Sequence, residues 1–171
     1  MSDSHDFAQI AETSAIYAGF ARAFVYPEHD QGVLSKTEYL ESFDPSACSD
    51  ASSVREASYA NIEASALFEE LVRYYEYFGL SRSQDAELPD HLSIELEFMH
   101  FLCELERHAP AGSADTDSLH KAQRDFIERH VLRLLTGLQQ ARNGKQERAD
   151  ELVRSCAEFV ELHRLALSEE N

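Results

Sequence analysis

The chain has no tryptophan and only four prolines and six glycines in 171 residues. So little Pro and Gly leaves few interruptions, which points to long regular elements. Positive charge is also scarce: 15 Lys and Arg stand against 32 Asp and Glu, a formal net charge of −17. A surface of that sign repels nucleic acid and anionic membranes and attracts cationic partners, among them basic targeting peptides. Three cysteines, Cys48, Cys103 and Cys156, are odd in number, far apart and without a C-x-x-C pair. That usage fits a reducing compartment and unreactive thiols, not a disulfide framework. No apolar run approaches the ~20 residues of a membrane span. The first six residues lack both the basic region and the apolar core of an export signal. The expectation is a soluble, cytoplasmic protein. Also missing are a G-x-S-x-G elbow, a Cys–His pairing and a G-x-x-x-x-G-K-[ST] phosphate loop. Nothing specifies an enzyme or calls for a cofactor.

What is present is hydrophobicity at helical period, enough at 43% for one domain with a real core spanning residues 1–171. Phe7, Ile10, Tyr17, Phe20 and Phe24 share one face of a first helix ended by Pro27. A short helix follows over 34–43, then a small-residue loop over 44–53. A long third helix is predicted with Val54, Ala57, Ala60, Ala64, Leu67, Leu71 and Tyr74 on its inner face, stopping at Gly79. After a polar connector come the helix of the central motif, a helix over 117–140, and a last helix over 146–167 that turns either Leu162 or His163 inward. The fold class is all-α, a single-domain helical bundle. Its short polar hinges are compatible with a monomer or a domain-swapped dimer.

The most informative stretch is Leu88-Pro89-Asp90-His91-Leu92-Ser93-Ile94-Glu95-Leu96-Glu97-Phe98-Met99. Pro89 and Asp90 suit a helix start, where a missing N–H matters little and a carboxylate takes up free amides. Leu92, Leu96, Met99 and Cys103 form one apolar stripe, and Ile94, Phe98, Phe101, Leu102 and Leu105 form a second. Ser93, Glu97, His100, Glu104 and Arg107 share a polar face. His91, Glu95 and Glu106 fall between the stripes, where ionisable groups need partners. For Glu95 the candidate partners are His130 and Arg73.

Leu-Pro-Asp-His-Leu leading into Glu-Leu-Glu-Phe resembles the signature of the TorD/DmsD/NarJ group, cytoplasmic maturation chaperones of molybdenum-cofactor oxidoreductases. The stretches Tyr17–Pro27, Tyr74–Leu80 and Ala122–Val131 are similar to the family's flanking helices. The motif looks nearest to chaperones of respiratory dehydrogenases and reductases of the DMSO reductase superfamily. The resemblance implies a TorD-like bundle that binds the apo catalytic subunit, or its twin-arginine leader, while cofactor is inserted. It also implies a recognition role for Asp90 and His91. The chain departs from relatives that carry Pro-Trp after the histidine equivalent to His130, since Val131 and Leu132 follow here.

For Asp90, an arginine fork on its carboxylate is as consistent with the residues as plain helix capping. Pro89 sets the turn, and Glu97 lies in Asp90's angular sector, extending an acidic strip. Tyr74, Tyr75, Tyr77 and Phe78 cannot all face one core. Tyr74 and Tyr77 are the groove candidates, while Tyr75 and Phe78 are assigned to the core. His100, Glu104 and His108 recur every four residues but sit on a charged face with no second ligand set, so no metal is expected. The other class of function compatible with the chain is an acidic helical adaptor or regulator for a basic protein surface.

Overall fold

Helical period decides most of the architecture. The computed structural model describes residues 2–29, 32–81, 83, 87–110, 112–142, 144 and 146–169, with the side chains of residues 2–7 and 169 left aside. The expected inward turn of Phe7, and the connector residues Arg82 and 84–86, therefore lie outside the described residues. Helices run over Ser2–Ala23 (α1), Lys36–Phe43 (α2), Ala64–Tyr77 (α3), Leu92–His108 (α4), Ala114–Phe126 (α5), Leu132–Ala141 (α6) and Glu147–Glu169 (α7). Among the described residues there is no β-strand, and one isolated antiparallel bridge joins Arg55 to His91. No described helix is long and apolar enough to cross a membrane.

Local chemistry sets the helix ends. Ser35 and Glu38 form a reciprocal capping box at α2. Ser113 caps α5 through the Thr116 amide. Gly79, at φ +80°, provides the left-handed residue that stops the chain after α3. Helix α1 lies along α4, and α7 packs on α5 and α6. The core holds the first predicted stripe of α4 entire, with Leu92, Leu96, Met99 and Cys103 all buried. An edge-to-face chain, Tyr75 to Phe98 (4.9 Å) and Phe98 to Phe126 (4.7 Å), joins α3, α4 and α5. In α7 it is His163 that turns inward, with Nδ1 2.9 Å from the Tyr17 hydroxyl, while Leu162 faces solvent.

Two expectations about helix extent are corrected. The third helix begins at Ala64, not near Val54: residues 51–63 are irregular, apart from one 3-10 turn over Glu56–Ser58. The reason is competition for backbone groups. Val54 O accepts the Leu92 amide, the Glu56 amide bonds Asp90 O (both 2.9 Å), and the Ala57 amide is taken by a side chain of the signature. The predicted 117–140 helix is α5 and α6 joined by a π-helical turn, Ile127–Val131. Ser93, expected on the polar face, is buried beside His91.

Gly137 on α6 lies directly under the Tyr59 ring, so a Cβ there would overlap the ring. Gly137→Ala gains roughly 1 kcal/mol of helix propensity but loses about 1–3 kcal/mol to overpacking. The net expectation is a fall of a few degrees in thermal midpoint, read by circular dichroism.

Candidate peptide-binding site around the 87–91 turn

The turn carrying the signature is clamped from three sides. Arg55 donates Nε–H to Asp90 Oδ1 at 2.5 Å, and the Ala57 amide donates to Oδ2 at 3.1 Å. The Tyr75 hydroxyl, reaching over from α3, donates to Pro89 O at 2.8 Å. Asp90 is wholly buried. It does accept an arginine, as one reading of the sequence held, but that arginine is the chain's own. Nor is Asp90 the N-cap. His91 caps α4, its Nδ1 accepting the Ser93 amide at 3.2 Å with Ser93 Oγ at 2.7 Å. Burial holds His91 below the ordinary histidine range, which favours the neutral ring, and with the proton on Nε2 its Nδ1 accepts the Ser93 amide.

Behind the clamp lies a second buried carboxylate that the sequence did not reveal. Glu56 is fully buried, with His130 Nδ1 3.1 Å from Oε2 and Arg133 Nε 2.6 Å from Oε1. Burial pushes the Glu56 carboxyl up, but the His130 and Arg133 contacts outweigh it and hold it below its usual value. His130 is therefore the partner of Glu56 and not of Glu95, and Arg73 pairs with Glu69 at the surface. Glu95 is buried with neither oxygen hydrogen-bonded among the described residues. Burial, and then its charge and hydrogen-bond interactions with Glu56 and the nearby Asp90 charge, drive its carboxyl well above the ordinary range, which favours the protonated form. No residue pattern flagged Glu56, because its place in a predicted amphipathic helix made it an unremarkable acid.

The predicted recognition residues fall on different faces. Tyr74 and Tyr77 line a groove of about 1210 Å³ between α3 and α5, where the Tyr74 hydroxyl meets Asp125. Tyr77 is 84% exposed. Tyr75 and Phe78 pack against the core, as expected. Glu97 and Pro89 line a second groove of about 810 Å³ between α1, α3 and α4. Its floor is apolar, built from Tyr75, Ile94, Phe98, Phe101 and Leu80, and its rim carries Glu76, Glu87 and Glu97 beside Arg22. The acidic strip therefore exists without Asp90, which points inward. Glu76 and Glu97 have no ion-pair partner among the described residues. His91 borders a third, smaller recess together with Glu87. His100, Glu104 and His108 are absorbed in contacts of their own: His100 Nδ1 and Glu104 Oε1 both meet Ser14 Oγ, and His108 bonds Glu104 O. Among the described residues no group of His, Cys, Asp and Glu is arranged to hold a metal.

Residues 5–138 match the sequence profile of the nitrate reductase delta subunit family. The chain belongs to that family. A selenate reductase assembly chaperone protein from Thauera selenatis is 28% identical, the alignment covering 90% of this chain and 89% of the relative. A chlorate reductase assembly chaperone protein from Ideonella dechloratans is 29% identical over the same shares. A perchlorate reductase assembly chaperone protein from Dechloromonas aromatica is 45% identical, over 37% of this chain and 29% of the relative. The all-α fold and the buried signature are thus features of a family member.

Two substitutions separate the buried acids. Asp90→Asn leaves Arg55 facing a neutral amide and is expected to lower unfolding free energy by about 1.5–3 kcal/mol, the range for a hydrogen bond to a charged group, toward the lower end because Arg55 is partly exposed. Urea denaturation reads the change. Glu95 acts with opposite sign. Above its unfolded-state value of 4.5 the unfolded chain ionises while the fold keeps the proton, so stability is lost as pH rises. Glu95→Gln removes that loss, and its advantage in thermal midpoint should widen as pH rises above 5, by roughly 3–5 °C per pH unit until the folded carboxyl titrates.

Proposed function

We propose that this chain is an assembly chaperone for the catalytic subunit of a molybdenum-cofactor oxidoreductase, working in the cytoplasm before export. The observation that carries the reading is the groove between α1, α3 and α4: an apolar floor rimmed by Glu76, Glu87 and Glu97 and walled by the family's signature turn. A segment with arginines followed by apolar residues, such as a twin-arginine leader, is complementary to that surface in both polarity and charge. The kinship with reductase assembly chaperones supports the same role and favours a client of the selenate, chlorate or perchlorate reductase kind. The work is binding and release rather than covalent chemistry.

In this reading Glu97 and Pro89 touch the peptide, and Asp90 and His91 hold the wall they stand on. Tyr74 and Tyr77 belong to the separate α3/α5 groove, which is open to the body of the client. The net charge of −17 adds a long-range attraction for basic segments that salt weakens.

The test is affinity capture from the native host with mass spectrometry of what co-purifies. The expected result is an oxidoreductase catalytic subunit, recovered several-fold less with Glu76→Lys/Glu97→Lys at unchanged thermal midpoint. Capture of no such subunit from cells expressing one would overturn the reading. Recovery of unrelated basic proteins, lost only by adding salt, would favour an acidic adaptor instead.

A further inference from the structure

Helix α3 is a wall of two grooves at once. Its residues Val72, Tyr75 and Glu76 line the α1/α3/α4 groove, while Glu70, Tyr74 and Tyr77 line the α3/α5 groove. At about 100° per residue these two sets fall on opposite flanks of the helix. Between the flanks, only Leu67 and Leu71 of its 14 residues are buried. The helix therefore sits on the core along a narrow stripe, with a space of about 810 Å³ on one side and about 1210 Å³ on the other. Helix α1 lies along α4 and α7 packs on α5 and α6, but among the described residues α3 runs closely alongside no other helix. Its first turn is unsupported as well: Glu63, in the N-cap position, makes no side-chain capping bond, and the chain leading into it is irregular. A helix with so few buried contacts belongs to the low-stability end of a fold.

We infer that α3 is a rocking wall pivoting on the Leu67–Leu71 stripe, so that a segment seated in the α1/α3/α4 groove swings it toward α5 and narrows the α3/α5 groove. Tyr75 lies next to the stripe, and its hydroxyl donates to Pro89 O at 2.8 Å, which ties the pivot to the fixed signature turn. The contacts toward α5 stand at the outer edge of the helix and do not lock it. They are Tyr74 to Asp125, and Glu70 to Arg129, whose side chain is 53% exposed. Solvent-exposed pairs of this kind contribute little against the burial of an apolar segment. Two sites that share one movable wall are linked, and the linkage acts equally in both directions. This inference rests on the chaperone reading and gives it an order. A leader held in one groove weakens the hold on a client segment in the other, which favours release of the client body once the leader is seated.

The chain has no tryptophan, so Ala122→Trp places a wedge that is also a fluorescent reporter. Ala122 lines the α3/α5 groove from the α5 side and does not border the α1/α3/α4 groove. The probe is a tryptophan-free synthetic peptide of two arginines followed by an apolar segment, titrated by calorimetry. The wedge should weaken its binding about fivefold or more, the low end of ordinary coupling between sites, while Ala122→Ser should bind as the wild type does. Saturating peptide should shift the indole emission to the blue as α3 closes on it. Unchanged affinity and unchanged emission, in a variant with the wild-type thermal midpoint, overturn the rocking wall and leave the chaperone reading standing. If the wedge prevents folding, amide hydrogen exchange of the wild type decides. The α3 amides should exchange faster than those of α4, and exchange as slow as that of α4 overturns the inference. Failure of the wild type to bind the peptide overturns the leader reading and the linkage with it.

Discussion

Three carboxyl groups, Asp90, Glu56 and Glu95, lie fully buried within one region, and the way each is accommodated fixes the surrounding chain. An isolated ionised carboxylate in a protein interior is too unfavourable to persist, so it is paired or it keeps its proton. Asp90 is paired with Arg55 and a backbone amide. Glu56 is paired with His130 and Arg133. Glu95 is the third case: burial first, and then its interactions with Glu56 and Asp90, push its carboxyl well above the ordinary range. Each solution draws on a different segment: the irregular stretch before α3, the π-helical turn after α5, and the interior of α4. The polar interior is therefore what ties those segments into one arrangement, while the aromatic chain from Tyr75 to Phe126 closes it on the apolar side.

A rigid turn has a functional consequence. Pro89, Asp90 and His91 are held by backbone pairing, an ion pair and a tyrosine hydroxyl, so the wall they form does not have to be ordered when a ligand arrives. Preorganisation of this kind lowers the entropic penalty of binding a flexible peptide. In the proposed role the buried residues of the signature supply stiffness, and their exposed neighbours Glu87 and Glu97 supply contact. That division accounts for a motif whose most polar members are hidden from solvent.

The fold was legible because helical period and a left-handed glycine act locally. Tyr17, Phe24, Leu67, Leu71 and the α4 stripe were all readable as core, and Gly79 marked a real end. The placement of His91, Glu95 and Glu106 between two apolar stripes correctly announced buried ionisable groups, because angular position on a helix follows from residue number alone. The same reasoning failed over 54–63. Local periodicity there favoured helix, and the competing claim on those backbone groups came from Asp90 and Leu92, more than thirty residues away.

Sequence by itself thus determined the fold class, the family and the signature segment beside which the candidate site is proposed, since each depends on short-range pattern. The tertiary structure decided which charges are spent inside and which are presented. Asp90 looked like a ligand for an arginine and found one in Arg55. Glu95 looked like half of an ion pair and is buried without one among the described residues. Tyr74 and Glu97, candidates for one site, face two different grooves. Partner choice among buried charges, and the grouping of surface residues into a recess, are set by distances through space that the order of residues along the chain does not encode.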